Sequence, residues 1–159
     1  MKIVQETIST KTKKNIAIII SRYNNFINQH LLDGALDILK RIGQINQKNI
    51  PIIHVPGAYE IPIIASIISK QKKYNAIIAL GTIIKGHTLH YSHISHAVNS
   101  GLTNISITNN IPISIGIITA NNIEQAIERA GTKLGNKGSE AALTALEMIN
   151  IINILAQNK

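Results

Sequence analysis

The chain has 159 residues, a formal net charge of +8, no Cys and one Phe, and is expected to form a single domain over residues 1–159, burying roughly two thirds of the surface its unfolded form exposes. Without Cys there are no disulfides, thiolate metal sites or cysteine nucleophiles, and the only two Asp residues, Asp33 and Asp37, lie one helical turn apart, which excludes a two-Asp centre elsewhere. The basic residues are scattered, and four Tyr with one Phe offer few stacking platforms, so a solvated surface is expected in place of a nucleic-acid groove.

In chain order, Ile16 to Ile20 is the first of four short apolar runs, followed by Ile50 to Val55, Ala76 to Leu80 and Ile111 to Ile118. Each is rich in β-branched residues and lacks strict alternation, the pattern of strands covered on both faces. After the first strand, Ile27, Leu31, Ala35, Ile38 and Ile42 recur at three- or four-residue steps, which predicts a helix that Asn24 or Asn25 caps and Gly43 ends. A second helix is expected from Pro62 to about Lys72, and a third from about Tyr91 to Thr103. A fourth spans Asn122 to Ala130, and a fifth runs from Lys137 to Ala156 after a turn at Gly131 to Gly135.

Alternating strands and helices predict an α/β fold. The expected architecture is a three-layer, flavodoxin-like domain with a four-stranded parallel sheet flanked by helices, plus a short N-terminal edge strand. No apolar run reaches the length of about eighteen residues that spans a bilayer. The Lys-rich N-terminus lacks an apolar signal core, so no membrane partner and a cytoplasmic location are expected.

In such a sheet ligands bind beyond the carboxyl ends of the strands, and the chemically distinctive residues follow the strands here. Tyr23 comes directly after the first; it is either a flat platform for a heteroaromatic ring or a core tyrosine. Glu60 follows the second and is the only acid between Asp37 and Glu124. Its carboxylate either caps the helix that Pro62 begins or accepts hydrogen bonds from a ligand. His90 closes a Gly-flanked loop after the third strand, where an imidazole is either a polar surface group or one that exchanges protons near neutrality.

His87, His90, His93 and His96 recur at three-residue intervals. They either share a helical face as a metal site or are splayed by a loop-to-helix boundary, and no metal is expected. Arg129 either pairs with Glu124 or Glu128 on its helix or holds a phosphate through a forked hydrogen-bond pair, supported by Lys137. The loop Gly86-His87-Thr88 could add backbone donors and a hydroxyl to the same anion.

Five segments then act together: Arg22-Tyr23-Asn24 with Leu31-Leu32-Asp33-Gly34-Ala35; Val55-Pro56-Gly57-Ala58-Tyr59-Glu60-Ile61-Pro62; Leu80-Gly81-Thr82-Ile83-Ile84-Lys85-Gly86 with Thr88 and His90; Glu124 to Lys133; and Asn136-Lys137-Gly138 through Ala145-Leu146-Glu147-Met148. In this order they resemble the 6,7-dimethyl-8-ribityllumazine synthase family over nearly the whole chain.

The resemblance implies a transferase that condenses 5-amino-6-(D-ribitylamino)uracil with 3,4-dihydroxy-2-butanone 4-phosphate, releasing phosphate and water, in the penultimate step of riboflavin synthesis. It implies neither metal nor redox cofactor. By position, Tyr23 would stack on the pyrimidine, Ala58, Tyr59 and Glu60 would line the ribitylamino-uracil site, and backbone groups of Thr82, Ile83 and Ile84 would read the uracil edge. His87 and Thr88, with Arg129 and Lys137, would hold the butanone phosphate, and His90 would shuttle protons.

Compared with the family pattern, Tyr23 replaces Phe, Lys85 replaces Arg, Ile115 stands in the pyrimidine site where Phe is common, and His87 occupies a variable position. The resemblance also implies a homopentamer in which Tyr23, Glu60 and His90 face Ile115 and Arg129 of the next subunit. An icosahedral shell is implied by the short turn from Gly131 to Asn136, with riboflavin synthase as a candidate partner. The alternative, a flavodoxin-like module binding a flavin or nucleotide, uses the same crevice without a base.

Overall fold

The Ile-rich runs pair as one parallel sheet in the order β2-β1-β3-β4. The computed structural model describes residues 14–88 and 90–157; the N-terminal edge strand expected ahead of the first core strand would fall within residues 1–13, outside the described residues. The strands are β1 (Ile16–Ser21), β2 (Ile52–Val55), β3 (Ala76–Ile84) and β4 (Ile113–Ala120). All six residues of β1 and the first eight of β3 are buried, which explains why neither alternates in sequence.

Successive strand residues point to opposite faces, and the core divides accordingly. Ile16, Ile18, Ile20, Ile78 and Leu80 pack against helices α1 (Asn25–Arg41) and α5 (Lys137–Gln157). Ala17, Ile19, Ile77 and Ala79 pack against α2 (Ile61–Ser69) and α3 (His90–Asn109). The result is the three-layer α/β arrangement that the alternation of elements predicts. After β4 come the short helix α4 (Ile123–Glu128) and a hairpin of β5 (Ala130–Thr132) and β6 (Gly135–Asn136) in place of the simple turn expected there. Gly131 and Gly135 of this hairpin have φ of +114° and +77°, which glycine adopts without a Cβ penalty.

Several boundaries differ from those expected. β3 continues through Gly81, Thr82, Ile83 and Ile84, read from sequence as loop, because β4 pairs alongside it as far as Ile84 with Ala120. β2 begins at Ile52, after a 3-10 turn at Gln47–Asn49. α2 stops at Ser69, short of Lys72. α3 extends past Thr103 to Asn109, whose side-chain amide donates to Ser69 Oγ at 2.7 Å and ties the helix end to α2. At the end of α1 the left-handed residue is Gln44, with φ of 49°, and not Gly43. Gly43 instead allows close approach, since a Cβ there would sit 2.7 Å from the Leu39 carbonyl.

α5, at 21 residues, is long and apolar enough by length and composition to cross a membrane, although Glu140 and Glu147 interrupt it. Its Ala141, Ala142, Ala145, Leu146 and Ile149 are buried in the core shared with α1 and the sheet, a stripe at three- and four-residue steps that marks a helix packed by one face on a core.

Candidate active site

β1 and β3 pair as far as Ile20 with Leu80, yet β3 runs on to Ile84. Residues 81–84 therefore project past the end of their neighbour and leave one strand edge facing a crevice at the carboxyl end of the sheet. A cavity of about 920 Å³ fills this place, a size suited to a small-molecule ligand.

Tyr23 lines one wall from the turn after β1 and is 75% exposed, so it is not a core tyrosine and its side chain is open to the crevice. Packing does not hold it. Its backbone does: Arg22 N donates to the Val55 carbonyl at 2.8 Å and Tyr23 N to the Pro56 carbonyl at 3.1 Å. Asn24 takes the left-handed conformation, φ 63°, ahead of α1. Its side chain does not cap the helix as expected but donates to the Thr82 carbonyl at 2.9 Å.

A second wall comes from the segment after β2, with Ala58, Tyr59 and Glu60. Glu60 Oε2 accepts from Gly57 N at 2.9 Å, a contact that fixes the turn leading into α2. Oε1 has no hydrogen-bond partner among the described residues. Glu60 therefore does not cap α2 with its side chain: one oxygen braces the turn ahead of the helix, and the other is open to a donor from a ligand.

Thr82, Ile83 and Ile84 form the floor, and Thr88 and His90 close the far side. His90 opens α3 and is exposed. His93, Ile94 and Ala97 of the same helix also line the cavity; they sit three, four and seven residues past His90, a spacing that shares one helical face and could have been read from sequence. His96 faces a different, open groove with Tyr91 and Ser95. His90 and His93 thus share the cavity face while His96 points to the other groove, and among the described residues no three His, Cys, Asp or Glu side chains converge as a metal site. Lys85 Nζ lies 5.9 Å from the centre of the Tyr91 ring at the rim, within cation–π range.

A model of the 6,7-dimethyl-8-ribityllumazine synthase family matches residues 13–153. The chain belongs to this family. It is 51% identical over 155 residues to the 6,7-dimethyl-8-ribityllumazine synthase of Yersinia pestis (strain Pestoides F), an alignment covering 98% of this chain and 99% of the relative. The match to the enzyme of the same name from Yersinia pseudotuberculosis serotype O:1b (strain IP 31758) has the same identity and coverage. The lumazine synthase match includes every residue that lines the cavity.

Four residues singled out for the lumazine synthase site do not line this cavity: His87, Ile115, Arg129 and Lys137. His87 is exposed in the turn at 86–88. Ile115 is 39% exposed on β4. Arg129 ends α4, half-buried, and donates from Nη1 to the Gln125 carbonyl at 3.3 Å. The ion pair with Glu124 or Glu128, one of the two roles open to it from sequence, is absent among the described residues; Glu128 instead lies 3.9 Å from Lys133. Lys137 N donates to the Arg129 carbonyl at 2.9 Å, while its ammonium pairs with Glu140.

One polar group of the site was not singled out from sequence. Asn28, fully buried on α1, joins Ser21, Tyr23 and Thr82 by side-chain hydrogen bonds. Its neighbours Ile27 and Leu31 mark the apolar face, and a polar residue beside them reads as the helix flank.

Proposed function

We propose that this chain condenses 5-amino-6-(D-ribitylamino)uracil with 3,4-dihydroxy-2-butanone 4-phosphate to give 6,7-dimethyl-8-ribityllumazine, phosphate and water, within a single domain in the cytoplasm. The observation that carries the reading is the cavity in which a ring platform, a carboxylate, an open strand edge and His90 meet in a member of the lumazine synthase family.

In this reaction the pyrimidine stacks on Tyr23, its polar edge pairs with the main chain at 82–84, and Ala58, Tyr59 and Glu60 receive the ribityl chain. Backbone groups at His87 and the hydroxyl of Thr88, with Arg129 and Lys137 of an adjacent subunit, hold the phosphate. The 5-amino group adds to the butanone carbonyl, water leaves to form an imine, phosphate is eliminated, and the ring closes with loss of a second water. His90 accepts and returns protons through these steps, a role open to imidazole near neutrality.

Ile115 and Arg129 lie away from the cavity within one chain, which supports sites completed between subunits; the homopentamer is what the family resemblance implies. The short β5–β6 hairpin supports closure of pentamers into an icosahedral shell, with riboflavin synthase as a partner. Neither metal nor redox cofactor enters the reaction as drawn.

Mixing purified protein with both substrates and following the lumazine absorbance band tests the reading. Product formation is expected from wild type and is reduced in His90→Ala. No product from assembled wild-type protein removes the catalytic reading and leaves a binding module in its place.

A further inference from the structure

Asn28 is 0% exposed. Its Nδ2 donates to the carbonyls of Ser21 and Tyr23, both at 2.7 Å, and lies 3.0 Å from the Ser21 hydroxyl. Its Oδ1 accepts from Thr82 Oγ1 at 2.7 Å. One amide therefore ties the turn that carries Tyr23 to the stretch of β3 that outruns β1. The exposed Tyr23 ring has little packing to locate it, so its position follows from its main chain, which is held at the nitrogen by Pro56 and at the carbonyl by Asn28.

We propose that Asn28 is a positioning residue for the pyrimidine half of the site, setting the ring platform of Tyr23 against the open edge of β3; this rests on the function proposed above. The amide is suited to the task because it presents donors and an acceptor in one plane. An ionised Asp would turn an acceptor toward two carbonyls, and Leu would fill the space while leaving those carbonyls and the Thr82 hydroxyl without partners. The turn at 86–88, which serves the phosphate, makes none of these bonds, so the two halves of the site respond differently.

Steady-state kinetics on assembled Asn28→Asp and Asn28→Leu proteins test the proposal. The KM for the pyrimidine is expected to rise about tenfold or more while that for the butanone phosphate changes by less than about twofold, because misplacement falls on one substrate only. Thr82→Val removes the hydroxyl on Oδ1 and keeps the main chain of β3; it gives the same split at smaller size and stands in where an Asn28 variant fails to assemble. An unchanged pyrimidine KM in an assembled variant, or a parallel rise in both KM values, overturns the proposal. Absence of product from wild type marks failure of the functional reading instead. Calorimetric titration of the pyrimidine into wild type and Asn28→Asp then decides the positioning role, with equal affinities counting against it and a loss of about tenfold supporting it.

Discussion

His90 and Arg129 carry different parts of the proposed reaction and fail differently when replaced. Solvent reaches the exposed His90 ring and can stand in for it, so His90→Ala is expected to lower kcat by about ten- to a hundredfold, at or below the lower edge for a positioned acid–base group. Arg129→Ala is expected to raise the KM for the butanone phosphate, and Arg129→Lys to recover only part of the loss, because an ammonium cannot reproduce the forked contact of a guanidinium. Initial rates at varied concentrations of each substrate check both. At this scale Tyr23, Glu60 and His90 were legible because each is an unusual residue in a segment that follows a strand and leads into a helix. Asn28 was not, since its importance comes from Ser21 and Thr82, which the chain brings to it only on folding.

Among the elements, α1 and α5 cross so closely that a Cβ on Gly138 would lie 1.9 Å from the Leu31 carbonyl. Gly138→Ala must push the two helices apart and is expected to cost about 1–3 kcal/mol or more of stability, the range for overpacking, read from denaturant midpoints. The exposed end of α1 offers a gentler probe. There the Arg41 guanidinium hydrogen-bonds Asp37 and, with its charge, holds the Asp37 carboxyl below the ordinary carboxylate range. A depressed native pKa stabilises the fold above the unfolded pKa and loses that contribution as pH falls through the native value. Asp37→Asn is therefore expected to lower Tm slightly at neutral pH, with the difference from wild type vanishing in strong acid in calorimetric scans. Strand identity was legible from β-branched runs, whereas the reach of β3 was not. Gly81 and Thr82 resemble a turn in isolation, and only pairing with β4 keeps them extended. The end of α3 was hidden in the same way by the Ser, Thr and Asn residues after Thr103, polar enough to pass for loop.

For the molecule as a whole, the separation of Ile115 and Arg129 from the cavity makes assembly testable. When His90→Ala and Arg129→Ala chains are unfolded, mixed in equal amounts and refolded together, about a quarter of the interfaces between neighbours pair an intact His90 with an intact Arg129. Activity in the mixture well above that of either parent is the expected result; the sum of the parents alone would mean that each chain works by itself. Light scattering decides the shell, with isolated pentamers as the only species counting against it. Composition bears on the same scale. Isoleucine occupies most large core positions of this chain, and Ile83 and Ile84 carry the same residue type onto the floor of the cavity. The protruding end of β3, however, presents amides and carbonyls, which every residue other than proline carries alike. A ligand that docks there takes the seat of an absent neighbouring strand, and what it meets is spelled the same way in nearly any residue alphabet. The core can be rewritten around such an edge while its recognition stays as it was.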